Sequence, residues 1–194
     1  GLQRSWLKAV SADPRFRLFF TDEECRKLDL SLRNVQPLFY PEDFSYFDQY
    51  SDGDGYELAS YREHFQAVLE GIRENRILAI DYFSAKNHLT TFRYLPCRLE
   101  YSARDDKFRL MAVRVRKDDS LSRLTILNLS RIMRIKDTGK SLEIRPDIDA
   151  CLEHSLCREP VVLEISNERN ALERTMLHFA CYKKRTEKLG DSGK

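Results

Sequence analysis

Ile80-Asp81-Tyr82, Phe92-Arg93-Tyr94-Leu95-Pro96, Lys107-Phe108-Arg109-Leu110-Met111-Ala112 and Leu129-Ser130-Arg131-Ile132 follow one another within residues 78–136 as short strand-like runs in which arginines stand among apolar residues. Phosphates need fixed positive charge and bases need a surface to stack on, so strands that hold cations beside aromatic rings suit a flat, polyanionic ligand. The pattern points to binding rather than catalysis.

Working outward, the alternation of apolar and polar residues predicts strands over residues 77–83, 90–101, 108–116 and 124–135, joined by the polar links 84–87, 102–106 and 117–120. Short strands with tight turns make a small antiparallel barrel. Ahead of them, Leu58, Tyr61, Phe65, Val68, Leu69 and Ile72 recur on one face of a helix over residues 57–74. An earlier helix over 22–34 opens on a Thr21/Glu24 capping box and carries Cys25, Leu28, Leu32 and Val35 as its stripe. Between the helices, Pro37-Leu38-Phe39-Tyr40-Pro41 and then Phe44, Tyr46, Phe47 and Tyr50 read as an irregular strap with buried rings. After residue 140 the pattern predicts a short helix over 147–157, a strand over 161–165, a helix over 167–179 and a strand over 181–189.

The order and spacing of the runs resemble the WYL domain, a small Sm-like barrel found mostly in bacterial transcription regulators. The resemblance covers roughly residues 56–139: Tyr82 ends the first strand, Arg93 and Pro96 follow at the family's spacing, Phe108-Arg109-Leu110 falls on the naming triplet with Ala112 behind it, and Arg131-Ile132 closes the last strand. Two positions depart from the family: Arg109 replaces the usual tyrosine, and Thr125 stands where an arginine often opens the last strand. The strand, helix, strand order of the C-terminal part resembles the start of the WCX extension that follows WYL domains. The resemblance implies an α+β chain built of a helical and aromatic linker segment (1–55), a WYL domain with an Sm-like or SH3-like antiparallel barrel (56–140), a linker (141–160) and a truncated WCX-like extension (161–194). It further implies a homodimer whose DNA-binding winged helix, the reader of promoter DNA, lies outside these residues; Gly1 reads as a cloning residue.

Composition bounds the alternatives. Among 194 residues, 42% are hydrophobic, enough for a core, and no run of about 18 apolar residues or export leader is seen. The expected location is the cytoplasm. The net charge of +2 conceals an asymmetry: residues 35–75 carry nine acids against two bases, a net of −7, whereas residues 76–140 carry fifteen Lys and Arg against seven Asp and Glu, a net of +8. The basic half attracts anions in a salt-dependent way, unless its cations merely solvate a strand face or pair with the acidic segment. The five cysteines (25, 97, 151, 157 and 181) lack metal-ligand or Cys-x-x-Cys spacing and read as reduced thiols. Residues 51–55 look like a calcium loop, but Glu57 and Tyr50 stand where the motif needs glycine and a ligand, so a turn is the simpler reading. The four histidines (64, 88, 154 and 178) accompany no nucleophile motif, so neither an enzyme nor a cofactor is expected.

The sequence therefore reads as an effector-sensing region that binds single-stranded nucleic acid or a nucleotide. Arg93, Arg109 and Arg131 would hold phosphates, Lys107 would add field, and Tyr82 and Phe108 would stack or hydrogen-bond. Neighbours on a strand face opposite ways, so Phe108 is expected in the core if only one of Phe108 and Arg109 meets ligand. For Tyr82 and Arg131 the alternative is a hydrogen bond or ion pair that ties the barrel together. The competing function is a protein-interaction or dimerisation module without a small effector.

Overall fold

The computed structural model describes residues 1–46, 53–84, 86, 88–143, 145–155, 159, 161–166, 168–180, 182 and 184–187. Its contacts separate Gly1–Ser155 from Leu156–Lys194. The first unit opens with α1 (Leu2–Val10), α2 (Pro14–Arg17) and α3 (Asp22–Ser31), followed by α4 (Ala59–Glu74), five strands, and α5 (Ile148–Ser155). The expected capping box starts α3, with the Thr21 N–H donating to Glu24 Oε2 at 2.8 Å and the Glu24 N–H donating to Thr21 Oγ1 at 3.2 Å. Neither α1 nor α2 was expected from the sequence pattern; α2 is set by Asp13, whose side chain accepts from the Arg15 N–H, and by Pro14 behind it.

The strands are β1 (Arg76–Phe83), β2 (Leu89–Ser102), β3 (Lys107–Val115), β4 (Leu121–Asn128) and β5 (Ile132–Ser141), all antiparallel in the order β4-β3-β2-β1-β5. Both faces of this sheet are apolar at its centre, which is why Leu110-Met111-Ala112-Val113 reads as an unbroken apolar run, each residue at most 2% exposed. Leu110 and Ala112 face Phe65 and Val68 of α4, together with Leu78, Ile80, Tyr94 and Leu127. Met111 and Val113 face the other way, with Ile77, Leu95, Cys97 and Ile148 of α5. Pro96 lies beside the register shift between Pro96 and Arg98, at a bulge where its missing N–H is tolerated.

Three expectations are corrected. The predicted strand over 124–135 is two strands, because Leu129–Arg131 forms a 3-10 turn that brings both Leu129 and Ile132 into the α4-side core. A three-residue spacing of inward side chains belongs to a helical turn, not to a strand. For the same reason the sheet does not close as a hydrogen-bonded barrel: the chain turns a corner after Asn128, and β4 and β5 stay at opposite edges. The strap rings are not buried: Leu38, Tyr40, Phe44 and Tyr46 are each at least half exposed. Phe39 and Phe44 pack on one another instead, edge to face at 5.2 Å, while Phe47 and Tyr50 lie outside the described residues.

Among the described residues of the second unit, α6 (Ala171–His178) forms within the expected helix. Of the strands expected over 161–165 and 181–189, the described residues 161–165, 182 and 184–187 adopt no strand. Among the described residues no strand lies beside them to hold their backbone groups, so a β-like sequence pattern alone does not suffice.

The approach of α4 to the sheet depends on Gly71. A Cβ there would sit 2.8 Å from Pro96 Cγ and 2.9 Å from Leu78 Cδ1. Alanine would gain up to about 1 kcal/mol of helix propensity, but overpacking against a proline ring costs about 1–3 kcal/mol. Gly71→Ala is accordingly expected to destabilise the protein in urea denaturation; a stabilised variant would mean that α4 is not held this tightly.

Candidate anion-binding groove

The antiparallel register places Ala79 of β1 beside Arg93 of β2, and Arg93 beside Val115 of β3. These positions share a face with Leu95 and Val113 but lie toward the end of the strands. There they line an open groove of about 650 Å³, together with Thr91, Phe92, Arg114, Arg116, Lys117 and Ser122. The groove combines cations with an aromatic ring. The Arg114 guanidinium carbon lies 3.5 Å from the Phe92 ring centroid, and Phe92 meets Tyr94 edge to face at 6.4 Å.

Arg93 is held from two sides. Its Nη1 donates to Asp119 Oδ1 at 2.7 Å and its Nη2 to the Arg116 carbonyl. The other Asp119 oxygen accepts from Lys140 Nζ at 2.6 Å, so hydrogen bonds from these two cations hold the Asp119 carboxyl below its ordinary range. Arg114, Arg116 and Lys117 form no salt bridge with a described carboxylate, and they gather positive charge along the groove. Beside it, Thr91 Oγ1 donates to Asp81 Oδ1 at 2.7 Å and Arg134 donates through Nε and Nη2 to Asp81 Oδ2. The Thr91 hydrogen bond first, and then Arg134, hold the Asp81 carboxyl low.

Of the six site residues expected from the sequence, only Arg93 lies in this groove. Phe108 is 7% exposed and packs edge to face on Phe65 at 5.1 Å, as expected for the core partner. Lys107 and Arg109 share the face of Arg93 but sit at the other end of β3, where Arg109 pairs with Asp105 at 3.3 Å. Six strand positions separate Arg109 from Val115, roughly 20 Å at the usual rise. Arg131 is exposed in the 3-10 turn, away from the strand ladder. The Tyr82 hydroxyl accepts from the Asn128 N–H at 3.3 Å, which is the tying role named as its alternative.

The residues missed by sequence reasoning are Phe92, Arg114, Arg116, Lys117, Asp119 and Lys140. Arg114-Val115-Arg116-Lys117 is visible as a basic run, but only the register with β2 shows that it meets Arg93. Among the described residues no group of three or more His, Cys, Asp or Glu could hold a metal ion. Among the same residues, no helix is long and apolar enough to cross a membrane.

No protein-family profile matches the sequence, and no curated protein sequence matches it either. Among solved structures, the chain is similar to proteasome accessory factor B/C (PafBC) of Arthrobacter aurescens, with 23% identity and a TM-score of 0.37. The match covers 44% of this chain and 13% of that one, so it spans a small part of the larger protein.

The Tyr82 assignment is testable. Tyr82→Phe is expected to lose about 0.5–1.5 kcal/mol of unfolding free energy, the usual worth of one hydrogen bond, with anion binding unchanged in the folded variant. A folded Tyr82→Phe protein that no longer binds its ligand would return Tyr82 to the site.

Proposed function

We propose that this chain is the ligand-sensing region of a WYL-type bacterial transcription regulator, and that it binds a phosphate-bearing, nucleic-acid-like ligand in the groove between Arg93 and Arg114. The observation that carries the reading is the Arg114 guanidinium stacked on Phe92 beside two further cations, Arg116 and Lys117, which form no salt bridge with a described carboxylate. A guanidinium presented on a ring offers a base a stacking plane and a phosphate its donors in one place. The strand order with a helix ahead of β1 and a 3-10 turn between β4 and β5 suits an Sm-like domain left open at one seam. Binding in the groove would bias the arrangement of a homodimer and so the affinity of a winged-helix partner domain for promoter DNA. The chemistry is recognition, with no catalytic step.

A second reading is favoured by a different observation. Trp6, Leu38, Tyr40, Phe44 and Tyr46 are all at least half exposed on the N-terminal segment, as an interaction module would present them. The two readings separate by what they lose on mutation.

Fluorescence anisotropy of labelled single-stranded DNA and RNA at about 50 mM and about 200 mM salt tests the first. Micromolar binding is expected, weakening with salt; Arg116→Ala should weaken all sequences alike and reduce the salt slope by about 1, while Arg114→Ala removes the stacking plane as well. Arg131→Ala serves as the exposed control and should change little. Binding that ignores Arg114 and Arg116, or no binding by the folded protein at low salt, would shift the assignment to the interaction module.

A further inference from the structure

Asp119 stands in an unusual position. It is a non-glycine residue with φ of 63°, at the tip of the turn between β3 and β4, a turn held by the Arg116 N–H donating to the Ser120 carbonyl at 2.9 Å and the Asp119 N–H donating to the Arg116 carbonyl at 3.1 Å. The left-handed backbone is uncommon for a residue with a side chain, though aspartate tolerates it better than most. From there the carboxylate reaches past the end of its own hairpin to two cations on different strands, Arg93 of β2 and Lys140 of β5, with one oxygen on each. None of the three side chains is buried; Arg93, Asp119 and Lys140 are 24%, 41% and 54% exposed. Ion pairs that exposed are weak and open readily to a better anion.

Two cations around one carboxylate leave a local charge of +1. A phosphodiester brings one negative charge and two free oxygens, the same as the carboxylate it would replace. A phosphomonoester brings close to two charges and three free oxygens, enough to satisfy the guanidinium fork and the ammonium together. We propose that Asp119 is a latch that occupies the seat of a ligand's terminal phosphate, so that a phosphomonoester end displaces it from Arg93 and Lys140 and releases the Arg116–Ser120 turn. The inference rests on the groove being the ligand site and adds which part of a nucleic-acid-like ligand it selects. Neighbouring charge supports the exchange: Arg116 and Lys117 lie on the same turn, and Asp118, the nearest other acid in sequence, is already engaged by the Ser120 hydroxyl at 2.7 Å.

The test compares short thymidine strands labelled at the 3′ end, carrying either a 5′-phosphate or a 5′-hydroxyl, with wild type, Asp119→Asn, Lys140→Met and Arg114→Ala. Wild type is expected to prefer the 5′-phosphorylated strand by about tenfold, the scale of one added charge-assisted contact. Asp119→Asn removes the negative charge that competes for the seat without removing its cations, so the 5′-hydroxyl strand should bind several-fold more tightly than it does to wild type. Lys140→Met should erase the preference, so that the two strands bind alike. Competition by thymidine 5′-monophosphate, if as strong as by the phosphorylated strand, identifies a free nucleotide as the ligand; weaker competition identifies a strand end, and either agrees with the latch. Thermal unfolding verifies that each variant is folded. Equal wild-type binding of the two strands, or an Asp119→Asn protein that binds both more weakly, overturns the latch while Arg114→Ala still defines the groove. No binding of either strand by folded wild type and Asp119→Asn overturns both.

Discussion

The sheet of Gly1–Ser155 buries apolar side chains on both faces at its centre, and this constraint determines where charge can go. On one face Phe65 and Val68 of α4 are fully buried against Leu78, Ile80, Leu110 and Ala112; on the other, Leu95, Met111 and Val113 pack with Ile148 of α5. Each fully buried large side chain contributes about 1.5–3 kcal/mol relative to exposure, so a charged residue cannot replace one without heavy cost. The cations of the groove accordingly stand at strand ends and turns. Arg93, Arg114, Arg116 and Lys117 converge at one end, Lys107 and Arg109 lie at the other, and the groove forms where the apolar cover stops.

The same constraint divides the acidic from the basic half. Within the acidic segment, Asp54 accepts from the Tyr61 hydroxyl at 2.7 Å and from the Phe108 N–H at 3.0 Å, and so ties its segment to α4 and β3. Burial, reinforced by that carboxylate, pushes the Tyr61 phenol far above its ordinary range, which keeps it a donor. Arg76 meets Glu70 and Glu74 of the acidic segment, whereas Arg93, Arg98, Arg109, Arg134 and Lys140 pair with acids elsewhere in the chain. A basic face neutralised only in part is what a steered anionic ligand requires.

Local signals were legible in the sequence and long-range ones were not. The Thr21/Glu24 capping box, the Tyr61/Phe65/Val68 stripe and the first three strands are written in short spacings, and the structure contains them within two residues. Leu129 and Ile132, three apart and both inward, were the missed sign of a turn inside the fourth strand. The site was harder because it depends on register. Phe108 beside Arg109 gave the parity of β3 correctly, but only the pairing of Arg93 with Val115 brings Arg114 and Arg116 to Phe92, and a bulge at Pro96 shifts that pairing. Lys140 and Asp119 are 21 positions apart in sequence, with β2 and β1 between β3 and β5 in the sheet, and nothing in their local sequence joins them.

The proposed ligand enters at the Arg93 end of the sheet and not at the Arg109 or Arg131 positions that the sequence also offers. Titrating ¹⁵N-labelled protein with a short 5′-phosphorylated thymidine strand, and following backbone amide shifts, tests this most directly. Shifts are expected to concentrate at Thr91, Phe92, Arg93 and the Arg114–Ser122 stretch, with Arg109 and Arg131 unmoved. Shifts concentrated instead at Lys107, Arg109 and Arg131 would contradict that entry point.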